Sequence, residues 1–514
     1  MIVIYHHNNK VVEAVSEKEN LNFSTNNVLN VLVEIAVCNP NELLVWCHYD
    51  LKSNLNLSEI HDVFHHKKIM ASYNPFANFL LSDAIGYVEE SPFIKVNKKV
   101  TYPTWQMSSC AGGLHASVLL ELKNSIPTSD NFEYFLHSIA KLAMDNGLFC
   151  YSEPLLLRGF FDETQIRKNN KYVLFQFVKQ HYKAHWVFLL FLNLFLYERK
   201  LAFLPLVFSL FYSKRNLKKE VLSTIEVKSS KKTIETEDID VIIPTIGRKD
   251  FLYDILKDFS LQTHLPKKII IIEQNPNLES VSELNYLRNE SWPFEIKHIF
   301  THQAGACNAR NLGLAETKNE WVFMADDDIR INNSFLKEAF IKIRKFGLQE
   351  ITFACYEGDY DRNKKYLKEI QWEIFGSGCS IVKHKFLENL TYRKGFEFGY
   401  GEDTDFGMQL RNAGLDIIYI PKPEILHLKA PVGGFRTKPV LQWQDDVIQP
   451  KPSPTVMLYK ILNLSKEQMK GYKTTLLIKF YKSQSIKNPI RYLLYFNKQW
   501  NQSMYWANQL KNKV

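Results

Sequence analysis

WVFMADDDIR, residues 321–330, carries an unbroken apolar run straight into three consecutive carboxylates, Asp326, Asp327 and Asp328. An apolar run without polar alternation is the pattern of a strand covered on both faces, as in a parallel sheet. Three adjacent acids repel one another, and the repulsion is relieved if they share a cation or if water solvates them as an ordinary acidic turn. Two further runs of the same kind lie upstream, IDVIIPT (239–245) and KKIIIIEQN (267–275), with a helical stretch at 251–261 between them. Strand, helix and strand in that order build a parallel α/β sheet, and ligands of such sheets gather at the C-terminal ends of the strands. The acidic triplet ends a strand, so it is expected at that edge.

Other segments should reach the same edge. PTIGRKD (244–250) follows the first strand, Glu273-Gln274-Asn275 ends the second, and GACNARNLGL (305–314) opens a helix with Arg310 and Asn311 in its first turns. Downstream, WEIFGSGCSIVKHKFL (372–387) precedes FGYGEDTDFGMQLRNAG (398–414), where Glu402-Asp403 open a helix. Backbone N–H groups left unpaired at a helix N-terminus favour carboxylates there, as caps or as bases toward a hydroxyl. His427, in PEILHLKAP, follows a further apolar run and is a candidate metal ligand. A hard divalent ion, Mn²⁺ or Mg²⁺, suits carboxylates combined with substrate phosphates, and neutralises a departing diphosphate.

Taken together, VIIPTIGR (241–248), a strand ending in an acid, GACNARNLGL, the acidic triplet, GSG and GEDTDFGMQLRNAG (401–414) with a later His resemble the family 2 glycosyltransferases. The resemblance implies a GT-A fold (Rossmann-like, mostly parallel) over residues 238–435, with inverting transfer from a nucleotide-sugar donor to a glycan or lipid-linked acceptor. Carried onto this chain, it implies that Pro244, Thr245 and Arg248 border the nucleotide and that Glu273 hydrogen-bonds the base. Arg310 would position the diphosphate, Asp326 and Asp327 would bind the nucleotide sugar, and Asp328 with His427 would hold the metal. Asp403 would deprotonate the acceptor, while Glu402 and Trp372 would contact it.

The front of the chain reads as a reduced copy of the same domain. NELLVWCHYDL (41–51) aligns without gaps on NEWVFMADDDI (319–329), WQMSSC (105–110) matches WEIFGSGC (372–379) once two residues are allowed for, and NGLFCYSEPLLL (146–157) echoes AGLDIIYIPKPEIL (413–426). The triplet becomes His48-Tyr49-Asp50 and Glu402-Asp403 become Phe135-Leu136, so the expected role of residues 1–165 is non-catalytic: acceptor binding, support or homodimerisation. Between the copies, residues 166–237 form an apolar and basic connector. Its two apolar runs flank Glu198-Arg199-Lys200, and each is shorter than the ~20 residues of a bilayer-spanning helix. They fit an interfacial helix pair or buried helices. Residues 436–514 read as a helical, basic and aromatic extension that lies on an anionic membrane or packs on the enzyme core.

Composition agrees with a folded α/β protein of more than one domain: 514 residues, 46% hydrophobic and 23% charged. The net charge of +9 suits anionic partners, a diphosphate or a membrane face, and no nucleic-acid motif is present. Seven scattered cysteines without CxxC spacing, and an N-terminus without signal-peptide character, place the expected location in the cytoplasm, peripheral to the membrane. Two other classes remain open: a nucleotidyltransferase, for which PTIGRKD is a poor phosphate loop, and a binding scaffold with both copies inactive.

Overall fold

The structure is a computed structural model and describes all residues except 17–18, 77–79, 124–125, 127–130, 162–169, 219, 359–366, 432–439 and 514. The expected boundaries at 165/166 and 435/436 lie outside the described residues. Two compact units emerge, Met1–Lys231 with Leu464–Ser483, and Lys232–Asn463 with Gln484–Val514.

The first unit is built on a sheet of β1 (Ile2–His7), β2 (Lys10–Ser16), β3 (Leu43–His48), β4 (Ile69–Tyr73), β5 (Tyr102–Pro103), β6 (Ala111–His115) and β7 (Phe149–Ser152), ordered β2-β1-β3-β6-β4-β7-β5. The second unit carries β8 (Ile239–Thr245), β9 (Lys268–Gln274), β10 (Glu295–Thr301), β11 (Trp321–Ala325), β12 (Ile329–Arg330), β13 (Glu350–Glu357), β14 (Ile370–Gln371), β15 (Cys379–Lys383) and β16 (Ile418–His427). Its order is β10-β9-β8-β11-β15-β13-β16-β12, with β14 pairing β16. From β10 to β11 every pairing is parallel, and β15 then runs antiparallel to both its neighbours. The isoleucines of β9 are buried without exception, which accounts for its lack of alternation: both faces of the strand are covered.

The two sheets share a plan. In chain order, β1, β3, β4, β5, β6 and β7 have the neighbours and directions of β8, β11, β13, β14, β15 and β16: β1–β3 and β4–β7 are parallel, as are β8–β11 and β13–β16. The β6 and β5 pairings are antiparallel, like those of β15 and β14. Cross-strand register gives the residue correspondence. Cys47 faces Ala111 as Ala325 faces Cys379, so His48 stands at the position of Asp326. Ser152 faces Ser72 as Tyr419 faces Thr352, so Ser152 stands at Tyr419, in line with the echo of 413–426 in 146–157. The third alignment shifts by one residue. Ala111, not Cys110, corresponds to Cys379, and Thr104, not Trp105, stands at Trp372, because β5 pairs Tyr102 with Ser152 where β14 pairs Ile370 with Tyr419. Outside β1 the first sheet ends in the antiparallel β2, where the second sheet has the parallel β9 and β10.

The apolar connector divides between core and surface. In the helix His185–Glu198, Val187, Leu190 and Leu194 are buried while Phe188, Phe195 and Leu196 face outward. Phe203, Leu204 and Phe208 of the helix Phe203–Ser209 are exposed, as are Leu201, Leu210 and Phe211 beside it. Among the described residues no helix is long and apolar enough to cross a membrane. In the C-terminal extension, the helix Pro454–Asn463 packs on the helix Glu402–Asn412: the Asn463 amide donates to Asp405 at 2.9 Å, and the Tyr400 N–H donates to Thr455 at 3.1 Å.

Candidate functional site

The site lies at the C-terminal ends of β8, β11 and β16. Strand β11 ends at Ala325 and releases the acidic triplet into a turn, while β16 brings His427 alongside through its antiparallel pairing with β12, Ile329 facing His427. Ligand atoms of Asp326, Asp328 and His427 all lie within 4.8 Å of one another. His427 Nε2 is 3.2 Å from Asp328 Oδ1, and the Ala430 N–H donates to Asp328 Oδ2 at 2.9 Å. Burial alone would raise the Asp328 carboxyl, but His427, the Ala430 N–H and Arg248 outweigh it and hold it down at about 2. His427 is raised in turn, chiefly by its bond to Asp328.

Asp327 points the other way. It accepts from the Thr245 hydroxyl at 2.7 Å and from Arg248 at 2.6 Å, and Arg248 also lies 3.3 Å from Asp328. Burial pushes Asp327 up to about 6 against the pull of Arg248 and Thr245. The middle acid of the triplet is thus a tether between strand ends, while its two neighbours face the space beside His427. Two carboxylates and an imidazole form a donor set for a divalent ion such as Mn²⁺ or Mg²⁺, with positions left for phosphate oxygens. Gly378 is required at this spot: a Cβ there would sit 2.1 Å from Asp326 Oδ2.

Of the residues expected to border the nucleotide, Glu273 is next to last in β9 and is buried. It accepts from the Glu283 N–H at 3.1 Å and pairs with His298 at 2.8 Å. Pro244 and Thr245 close β8. Arg310 comes from the helix Ala306–Leu314, with its guanidinium 3.3 Å from Asp326 and over the Tyr392 ring at 5.6 Å. Its Nε is buried without a partner among the described residues, an N–H donor left for a ligand. Burial works against the Arg310 charge, but Asp326, Tyr392, Asp403 and Glu402 surround it and keep it protonated.

Glu402 and Asp403 open the helix Glu402–Asn412 after Gly401, whose φ is +112°. Burial raises the Asp403 carboxyl, with Arg310 and Ser377 opposing and Asp326 adding to the rise. Burial, then the neighbouring Asp403, raises Glu402 as well. Asp403 Oδ1 is buried and has no partner among the described residues. Trp372 follows β14 and lies 5.1 Å from the Tyr419 ring, and its carbonyl accepts from the buried Arg411. It packs with Tyr419, Ala354, Ile370 and Tyr356, a cluster on the sheet.

Three residues that buttress the candidate site were not named from the sequence. Glu397 caps the helix that carries Arg310, accepting from Cys307 N at 3.0 Å and Asn308 N at 2.9 Å, close against Gly305. Ser377 receives the Tyr392 hydroxyl at 2.7 Å and bonds the Asp403 carboxyl. Tyr392 also stacks on Phe406 at 4.1 Å, tying the Arg310 side of the site to the Asp403 helix. The GSG motif signalled Ser377, whereas Glu397 and Tyr392 sit in loops with no pattern around them.

Residues 240–400 match the sequence family described as Glycosyl transferase family 2. A Rickettsia conorii protein named an uncharacterized glycosyltransferase is 25% identical over 149 residues, 28% of this chain and 23% of its own. Among solved structures, S. aureus TarS 1–349 in complex with UDP-GlcNAc is similar at 16% identity, covering 49% of this chain and 74% of that one, with a TM-score of 0.34. GalNAc-T7 with UDP, GalNAc and Mn²⁺ is similar at 14% identity, covering 40% of this chain and 48% of that one, with a TM-score of 0.31. The chain therefore spans about a quarter of the curated relative and 42% of the longer TarS chain.

Proposed function

We propose, from the premise that residues 240–400 are a family 2 glycosyltransferase domain, that this protein is an inverting, metal-assisted glycosyltransferase acting on a nucleotide-sugar donor. One observation carries the reading: Arg310 lies 3.3 Å from Asp326, beside His427, and also faces Asp403, whose Oδ1 has no partner among the described residues, as a residue would that links a donor diphosphate to an acceptor base. Pro244, Thr245, Arg248 and Glu273 line the nucleotide side, and Asp326, Asp328 and His427 would hold Mn²⁺ or Mg²⁺. A divalent ion there supplies positive charge against the leaving nucleoside diphosphate. Arg310 orients that diphosphate through its free Nε–H, and Asp403 Oδ1 takes the proton of the acceptor hydroxyl as it attacks the anomeric carbon from the opposite face. Glu402 and Trp372 flank the acceptor.

The test is nucleoside diphosphate release from a panel of UDP-, GDP- and dTDP-sugars with Mn²⁺ or Mg²⁺. One donor is expected to be turned over, with the ion required, and Asp328→Asn should lose the metal dependence together with the activity. A chain that neither binds nor hydrolyses any of them would sink the enzymatic reading.

The acceptor is a membrane-bound or polymeric glycan in this reading, reached at an anionic membrane face. Phe203, Phe208 and Phe211 are 61%, 55% and 83% exposed, beside the exposed Arg199, Lys200 and Lys214, a combination suited to headgroup insertion. Vesicles with phosphatidylglycerol should sediment the protein, and replacing all three Phe by Ser should cut the bound fraction several-fold. Equal binding of the variant would remove the membrane from the reading. The first unit serves as a non-catalytic copy, since Phe135 and Leu136, at the places of Glu402 and Asp403, are buried and bring no base.

A further inference from the structure

The first sheet also collects metal-binding side chains at the end of its third strand. Ligand atoms of His7, His48 and Asp50 lie within 4.8 Å of one another. His7 Nδ1 is 3.9 Å from Asp50 Oδ1, His48 Nδ1 is 3.6 Å from Asp50 Oδ2, and the two imidazoles stand 5.0 Å apart. We propose that His7, His48 and Asp50 form a second metal site, open to solvent and selective for a borderline divalent ion of the zinc type.

Rigid elements present all three ligands. His7 ends β1 at the tight turn of Asn8 and Asn9, both at positive φ, that starts β2. His48 ends β3 and caps the 3-10 helix Tyr49–Asn54, accepting the Asp50 N–H at a long 3.4 Å, so Asp50 is fixed in the first turn of that helix. Lys52, two residues beyond Asp50, forms an ion pair with Glu13.

The placement is the second, independent observation. By strand register His48 stands where Asp326 stands in the other sheet, and Asp50 follows it as Asp328 follows Asp326. The two groups invert each other's composition: two carboxylates and one imidazole in the second unit, two imidazoles and one carboxylate in the first. Imidazole nitrogen favours zinc and its neighbours in the transition series, where carboxylate oxygen favours Mg²⁺ and Mn²⁺. Three protein ligands on an exposed face leave a fourth position for water or an incoming anion, the coordination of an open zinc site.

The site does not depend on the proposed transferase activity, and its test is separate. Zn²⁺ alone is titrated into the full chain against a chromophoric chelator, in wild type, His48→Ala, His7→Ala and Asp328→Asn. Wild type and Asp328→Asn are both expected to hold the same high-affinity zinc equivalent, which either histidine variant weakens at least tenfold. Zinc should also raise the Tm of wild type and not that of His48→Ala, with matching circular dichroism showing that the variant folds. Unchanged zinc affinity in both histidine variants would overturn the site, as would a zinc equivalent lost only in Asp328→Asn, or none in wild type.

Discussion

Asp403→Asn should lower turnover by about 10²- to 10⁴-fold, the range that a positioned general base supplies, while leaving donor affinity unchanged. The amide keeps the shape and the bond to Ser377 but cannot take a proton. Burial holds the native carboxyl above its usual range, with Asp326 adding to the rise and Arg310 and Ser377 opposing it. The base is protonated, and idle, below that raised pKa. The wild-type rate should therefore fall as pH drops through a value above the ordinary carboxylate range of about 4, and the variant's residual rate should lack that limb. The sign for stability is opposite. A carboxyl raised in the folded state contributes stability below its folded pKa that is lost as pH rises through it. Asp403→Asn removes that loss, so its Tm at pH 8 should equal or exceed that of wild type. Calorimetry and isothermal titration with donor check both arms. Lost donor binding would assign Asp403 to the donor instead.

How much of this was legible beforehand depended on the kind of signal each residue leaves. Strands β8, β9 and β11 announce themselves because covering both faces demands uninterrupted apolar residues, and β9 is buried from Lys268 to Gln274. The acidic triplet, GEDTD and His427 were legible because their side chains are the chemistry. Direction was not: β15 is almost as fully buried as β11 yet runs antiparallel to it, since burial does not record which way the neighbour points. Nor could the separate aims of the triplet be read. Asp327 turns to Thr245 and Arg248 while Asp326 turns to Arg310, a division set by strand twist and by partners far away in the chain. Glu397 is the clearest omission. Its role comes entirely from meeting the N–H groups of Cys307 and Asn308, a contact ninety positions away.

Arg310→Met should be the most damaging single change outside the carboxylates themselves. The native guanidinium is the one charge that both the Asp403 and the Glu402 shifts name as opposing their protonation, and it also touches Asp326. Methionine keeps the stem over Tyr392 but leaves a buried acid cluster without its cation, the situation in which removing one partner costs about 3–5 kcal/mol when fully buried. Protonation offsets part of that cost, which makes the outcome pH-dependent in a defined direction. With Arg310 gone, the carboxyls of Asp403 and Glu402 rise further, so the folded state binds protons more tightly and stability falls as pH increases through the raised values. The catalytic limb moves the same way. An upward displacement of at least about one unit, equivalent to 1.36 kcal/mol, would leave a tenfold lower rate on the acid side that is partly recovered at higher pH. Donor affinity falls as well, because the free Nε–H no longer meets the diphosphate, and Arg310→Lys should restore the position of the limb better than it restores affinity. Profiles of kcat and of kcat/KM against pH separate the two contributions. A limb that stays where it is in Arg310→Met would show that this arginine serves the donor alone.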